Sequence, residues 1–212
     1  AAPPGKAGFP RKIFCTPGTR DLLKVMLPDA AHLQEEEARY ANRKGYSKHK
    51  PALPLYTGED AQAVIPLLEP RPFAKPFPVS EGLTALFRQA GHILGSATTE
   101  LRLDGLVLVY SGDLGRWDQP ILNDPDPVPE ADVLLIESTY GNRVHPKDPR
   151  EALARVIQEA AQRGGALLIP AFAVGRAQTL IWMIHALEKA GRIQKLPAFL
   201  DSPMAGKVSN IT

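Results

Sequence analysis

A histidine, an aspartate and a glutamate stand at near-even intervals along this chain, each where an apolar run gives out. They are His92 in Gly91-His92-Ile93-Leu94-Gly95-Ser96, Asp113 in Ser111-Gly112-Asp113, and Glu137 in Glu137-Ser138-Thr139-Tyr140-Gly141. Imidazole and carboxylate groups delivered at successive strand ends suit a rim that holds a metal and its water. That constellation points to a metallohydrolase. The glycines and small residues beside His92 let the backbone pass close to a neighbour and leave the imidazole clear. Asp113 follows 21 residues later in an equivalent setting. Two ligands are fewer than the three or more protein groups a catalytic zinc needs. Among the other histidines, His32 and His185 fall in helical patterns, His49 in a basic loop and His145 before Pro146. None forms a His-x-His pair, and they read as surface or packing residues.

The elements that must position these groups follow from periodicity and punctuation. Residues 12–15 read as a strand, 19–26 as a helix capped by Thr19, and 30–41 as a second, charged helix. A third helix covers 58–68, opened by Thr57 with Glu59 and Asp60 in its first turn. Five prolines between Pro66 and Pro78 make that stretch an extended connector. Strands are expected at 83–89, 98–103, 106–110 and 133–136, with Asp104-Gly105 a two-residue hairpin turn. A proline-rich excursion, 120–129, separates the Asp113 strand end from the Glu137 strand. Beyond Tyr140 the pattern becomes helix 149–163 with Asp148 as cap, strand 166–170, helix 176–190 and strand 198–200. Such alternation predicts a parallel sheet covered by helices.

Composition limits the function classes. With 212 residues, 44% of them hydrophobic, the chain is long enough for one large or two small domains. The longest nearly apolar stretch, 166–174, is broken by Pro170 and is far short of the roughly 18 residues of a membrane span. Residues 1–10 lack the apolar core of a signal peptide. The single cysteine, Cys15, excludes an internal disulfide and suits a reducing cytoplasm; at a strand end it reads as a packing residue. With 25 basic and 23 acidic residues the net charge is +2, which neither supports nor excludes a nucleic-acid partner. Arg39, Arg43, Lys44, Lys48, His49 and Lys50 form one local basic cluster, read as a solvated face with the capacity to meet phosphates.

Taken in order, GHILGSA, YSGDLG, ESTYGNR, IPAFAVGRAQ and LDSPMAG resemble the β-CASP branch of the metallo-β-lactamase superfamily, the RNA-processing nucleases. The resemblance runs from Cys15 nearly to the C-terminus. It implies an α/β fold: a partial metallo-β-lactamase αββα sandwich over residues 1–140, then the first part of a parallel-sheet β-CASP domain over 141–212. His92 would be a ligand of one zinc, Asp113 the carboxylate bridging two zincs, and Glu137 the acid that orients a histidine acting as general acid. Arg143 and Arg176 could equally approach phosphate or pair with a rim acid. Trp117 and Tyr140 could stack a base, yet aromatic loop residues more often pack against neighbours.

The family's His-x-His-x-Asp-His block, expected just before Gly8-Phe9, and its C-terminal β-CASP motifs do not occur in these residues. The resemblance therefore implies a segment of a cytoplasmic, zinc-dependent RNA-cleaving phosphodiesterase, inactive by itself, with RNA as partner, no membrane, and a homodimer conceivable through the β-CASP region. Two alternatives stay open. One is a non-catalytic scaffold that binds RNA or a partner subunit; the other is a DNA-acting β-CASP nuclease.

Overall fold

The computed structural model describes residues 12–144 and 149–212. Strand β1 (Ile13–Cys15) leads into helix α1 (Pro17–Lys44). Thr16, not Thr19, caps this helix: its hydroxyl accepts the Thr19 N–H at 3.1 Å, and Pro17 takes the first turn, where no N–H is needed. The two helices expected at 19–26 and 30–41 are one, continuous through Pro28. An interior proline costs roughly 3 kcal/mol. Burial of Leu22 before it and of Ala31, Ala38 and Ala41 after it ties both halves to their neighbours, and tertiary packing outweighs the break.

Helix α2 (Gly58–Val64) has the anticipated start, with a reciprocal capping box between Thr57 and Asp60. It ends earlier than the expected Leu68. Pro66 lacks an N–H, the chain tightens into a 3-10 turn at Ile65–Leu67, and Leu68–Pro70 becomes strand β2, pairing in parallel with β1. The extended connector 66–78 therefore includes a paired strand. Cys15, Val64 and Leu68 form a small core there. Burial pushes the Cys15 thiol up, keeping it protonated, in agreement with a packing role.

The second sheet holds β3 (Phe77–Ser80), β4 (Leu83–Gln89), β5 (Ala97–Leu103), β6 (Leu106–Tyr110) and β7 (Val133–Leu135) in sequence order. All pairings are antiparallel except β6 with β7, which is parallel because the 120–129 excursion carries the chain back across the sheet. The β5–β6 turn is Asp104-Gly105 with φ of 50° and 84°, the left-handed pair a tight hairpin demands. Phe77 bridges Phe14 and Phe87 with ring centroids 5.1 and 5.2 Å away, joining the two sheets through one aromatic core. Glu100 is buried in β5 at 2% exposure. Burial pushes its carboxyl up, but hydrogen bonds from Arg88 and Arg102 outweigh that and hold it below the ordinary range.

Helices α3 (Arg150–Gln162), α4 (Arg176–Lys189) and α5 (Pro203–Ser209) follow. The Asp148 cap expected for α3 lies outside the described residues. Segments 166–170 and 198–200 are not strands, contrary to the alternating pattern. A strand exists only when a neighbouring ladder satisfies its backbone, and among the described residues neither segment has one. Leu168 and Phe199 are 87% and 91% exposed. The helices nonetheless form a core of their own from Ala154, Ile157, Leu187 and Ile193. Among the described residues no helix is long and apolar enough to cross a membrane.

Candidate metal centre

His92 sits in the turn between β4 and β5. Ser96 shapes that turn: its Oγ accepts the N–H groups of both His92 (3.0 Å) and Ile93 (3.2 Å). Behind it, the Thr16 and Thr19 hydroxyls both donate to the Gly95 carbonyl, at 2.7 and 2.9 Å. Gly95 has φ of +78°, and a Cβ there would lie 2.2 Å from the Thr19 nitrogen. The His92 turn is thus seated on the N-terminus of α1, backbone against backbone.

Asp113 follows β6. Ser111 is buried, donates its backbone N–H to Leu135 O (2.9 Å), and places its hydroxyl between Gly112 O and the Glu137 N–H. The ends of β6 and β7 are thereby tied, which brings Glu137 beside the Asp113 loop. The Leu114 N–H donates to Glu137 Oε1 at 2.5 Å. Gly115 closes the loop by donating its N–H to Ala90 O at 2.7 Å, directly against the His92 turn.

The three residues singled out by spacing therefore converge. His92 Nε2 and Asp113 Oδ2 are 4.0 Å apart, with both side chains open to solvent at 45% and 75% exposure. A tetrahedral ion with ligand bonds of about 2.0–2.2 Å needs its donors about 3.4 Å apart, so a small rotation of these two exposed side chains toward each other brings both onto one ion. Imidazole nitrogen and carboxylate oxygen are the donor chemistry zinc accepts, so these residues fit a share of a metal site. Among the described residues no three His, Cys, Asp or Glu groups are placed to hold one ion, so Glu137 stands beside this pair without completing a ligand set.

The Leu114 N–H holds the Glu137 carboxyl below the ordinary carboxylate range; burial opposes it, and hydrogen bonds at Thr139 and the field of His92 lower it further. Because its folded-state value lies below the unfolded one of about 4.3, Glu137 steadies the loop at all pH above that and loses its effect as pH falls through the folded value. Protection of the Leu114 amide against hydrogen exchange is expected to hold from neutral pH down to about pH 4 and then fall. In Glu137→Ala it should be lost at every pH; protection that survives this substitution contradicts the positioning role.

Other residues named from sequence are accounted for differently. Arg143 stacks over Tyr140, its guanidinium 5.0 Å from the ring centroid. Trp117 is exposed in the loop after Asp113. Arg176 opens α4, whose preceding Gly175 (φ +80°) lies so near Ile93 that a Cβ would meet its Cγ2 at 2.9 Å. His145 lies outside the described residues.

Sequence reasoning missed Thr16 and the loop-fixing roles of Ser96, Ser111 and Thr19, whose hydroxyls hold the two loops. It also missed Gln178, buried in the first turn of α4, whose amide bonds Ala173 O and Ser209 Oγ and ties α4 to α5. The available signal was a serine beside each candidate ligand, since such side chains bond nearby backbone.

A mixed α/β fold whose strand ends gather histidine, aspartate and glutamate on one rim is that of a partial metallo-β-lactamase domain. No protein-family model matches the chain. Curated proteins do: it is 32% identical over 209 residues to Ribonuclease TTHA0252 of Thermus thermophilus, covering 97% of this chain and 44% of that protein. It is 31% identical over 199 residues to the RNase J-like protein of Methanocaldococcus jannaschii, covering 92% and 43%. With cleavage and polyadenylation specificity factor 73 of Drosophila melanogaster it shares 30% over 206 residues, covering 95% and 28%. The chain belongs to the β-CASP branch of the metallo-β-lactamase superfamily, whose members here are RNA-processing nucleases, and it spans less than half the length of these relatives.

Proposed function

We propose that this chain is part of a zinc-dependent ribonuclease of the β-CASP type, with residues 1–140 contributing to the lactamase domain and 141–212 to the β-CASP domain. The observation that carries the reading is the 4.0 Å approach of His92 Nε2 to Asp113 Oδ2 on a rim also occupied by Glu137. Bound there, zinc supplies Lewis acidity toward a phosphodiester. His92 offers a ring nitrogen whose direction Ser96 sets through the backbone. Asp113 offers a carboxylate oxygen on a loop held from behind by Gly115 and from the side by Glu137. Glu137 remains ionised at neutral pH and, as the resemblance implies, orients a general acid supplied from outside this chain. The lone buried cysteine suits a cytoplasmic protein, and a homodimer through the β-CASP region accords with the exposed apolar residues Leu168 and Phe199.

The test is cleavage of a labelled RNA and of DNA of the same sequence by the full-length protein, before chelation, after it, and after zinc is restored. RNA cleavage that disappears on chelation and returns with zinc is the expected result. Equal cleavage of DNA favours the DNA-acting reading. Tight RNA binding with no cleavage and no zinc uptake favours the scaffold, a reading for which the lack of a third ligand among the described residues speaks.

A further inference from the structure

We propose that the C-terminal end of α1 and the loop after it bind the backbone of single-stranded RNA, as an anchoring site remote from the metal centre; this rests on the ribonuclease reading. Residues 39–50 hold five of the chain's cations, Arg39, Arg43, Lys44, Lys48 and Lys50, and no carboxylate, whereas the rest of the chain is net acidic. All five are exposed, and Arg43, Lys44, Lys48 and Lys50 make no ion pair among the described residues. The negative end of a helix accounts for cations in its last turn, Arg43 and Lys44. It does not account for Lys48 and Lys50, which lie beyond the Gly45 cap.

The loop that carries them is anchored. Asn42 grips Ala52 twice, Nδ2 donating to its carbonyl at 2.9 Å and Oδ1 accepting its N–H at 2.7 Å. Two tyrosines stand among the cations with ring centroids 6.2 Å apart; Arg43 and Lys44 cover Tyr40 at 5.3 and 5.8 Å, and Tyr46 remains 61% exposed. Cations on an anchored loop, interleaved with an open aromatic face, match what binds single strands, with the backbone tracked by charge and a base stacked on the ring. At about 1.5 Å per residue, the 28-residue helix carries this patch roughly 42 Å from the end that seats the His92 turn. Only a long strand reaches both.

The experiment is fluorescence anisotropy of the purified protein with labelled oligouridine of about 20 and about 5 nucleotides across a salt series. In Arg43→Gln/Lys48→Gln/Lys50→Gln, the affinity for the long strand should fall about 10²-fold at 0.1 M salt, and the slope of log K against log salt should flatten by about 2. Lys48→Arg/Lys50→Arg should retain the unaltered affinity, and Tyr46→Leu should lose about tenfold. Variant and unaltered protein binding the long strand with the same affinity and slope would overturn the proposal alone. An unaltered protein that binds no RNA would overturn it together with the ribonuclease reading. Loss of binding to phosphatidylserine vesicles with RNA binding intact would reassign the patch to a membrane surface.

Discussion

Gly115→Ala is expected to destabilise the protein by about 3 kcal/mol or more, lowering the melting temperature by roughly 6–12 °C. A Cβ at position 115 would stand 1.7 Å from Gly91 O, 2.0 Å from Gly91 C and 2.6 Å from the His92 nitrogen. Those atoms are backbone, with no rotamer to change, so the Asp113 loop must move away from the His92 turn. The hydrogen bond from Gly115 N–H to Ala90 O would go with it. Two comparisons separate this contact from the general cost of replacing glycine. Gly105→Ala meets nothing within 4 Å but holds φ of +84°, and should cost about 1 kcal/mol. Gly165→Ala has open space and no such φ, and should stay within about 0.5 kcal/mol of the parent. Thermal melts of the three variants check the order. A Gly115→Ala protein no less stable than Gly105→Ala would mean that the two loops are not in contact as described.

Removing either candidate ligand should have the largest functional effect. His92→Ala and Asp113→Ala are each expected to weaken zinc binding, read by chelator competition, and RNA cleavage by the full-length protein by more than about 10²-fold. Substitutions in the outer layer of a metal site cost 10–100-fold, and loss of a ligand exceeds that. Ser96→Ala, which leaves the imidazole in place and frees only its backbone, belongs in the outer range at about tenfold. Because the two ligands act as a unit, the double variant should fall little below either single one. Thermal stability should change little, since both side chains are largely solvent-exposed. Undiminished cleavage by His92→Ala would remove this residue from the metal centre and the proposed function with it.

The hairpin was legible because its determinants are local: alternating residues on either side of Asp104-Gly105, and a turn that only left-handed backbone can make. The start of α2 was legible for the same reason, since Thr57 and Asp60 cap within three residues of each other. The course of α1 through Pro28 was not. A proline's local penalty is visible in the sequence, whereas the burial of Leu22, Ala31, Ala38 and Ala41 that offsets it depends on partners far along the chain. Strand β2 was hidden likewise, because Leu68–Pro70 is extended through pairing with residues 55 positions earlier. Apolar stretches 166–170 and 198–200 err the other way, carrying strand composition without a ladder.

By itself the sequence determined which residues of this protein are candidates for chemistry, since residue type and strand-end placement make His92, Asp113 and Glu137 stand out. Only the tertiary structure decided that they meet. Their convergence depends on glycine backbones touching at positions 18, 91, 95 and 115, on the Ser111 tie between β6 and β7, and on the Leu114 N–H reaching Glu137. Such contacts join segments remote in the chain, and their energy exists only when the intervening strands have paired, so no local pattern encodes them.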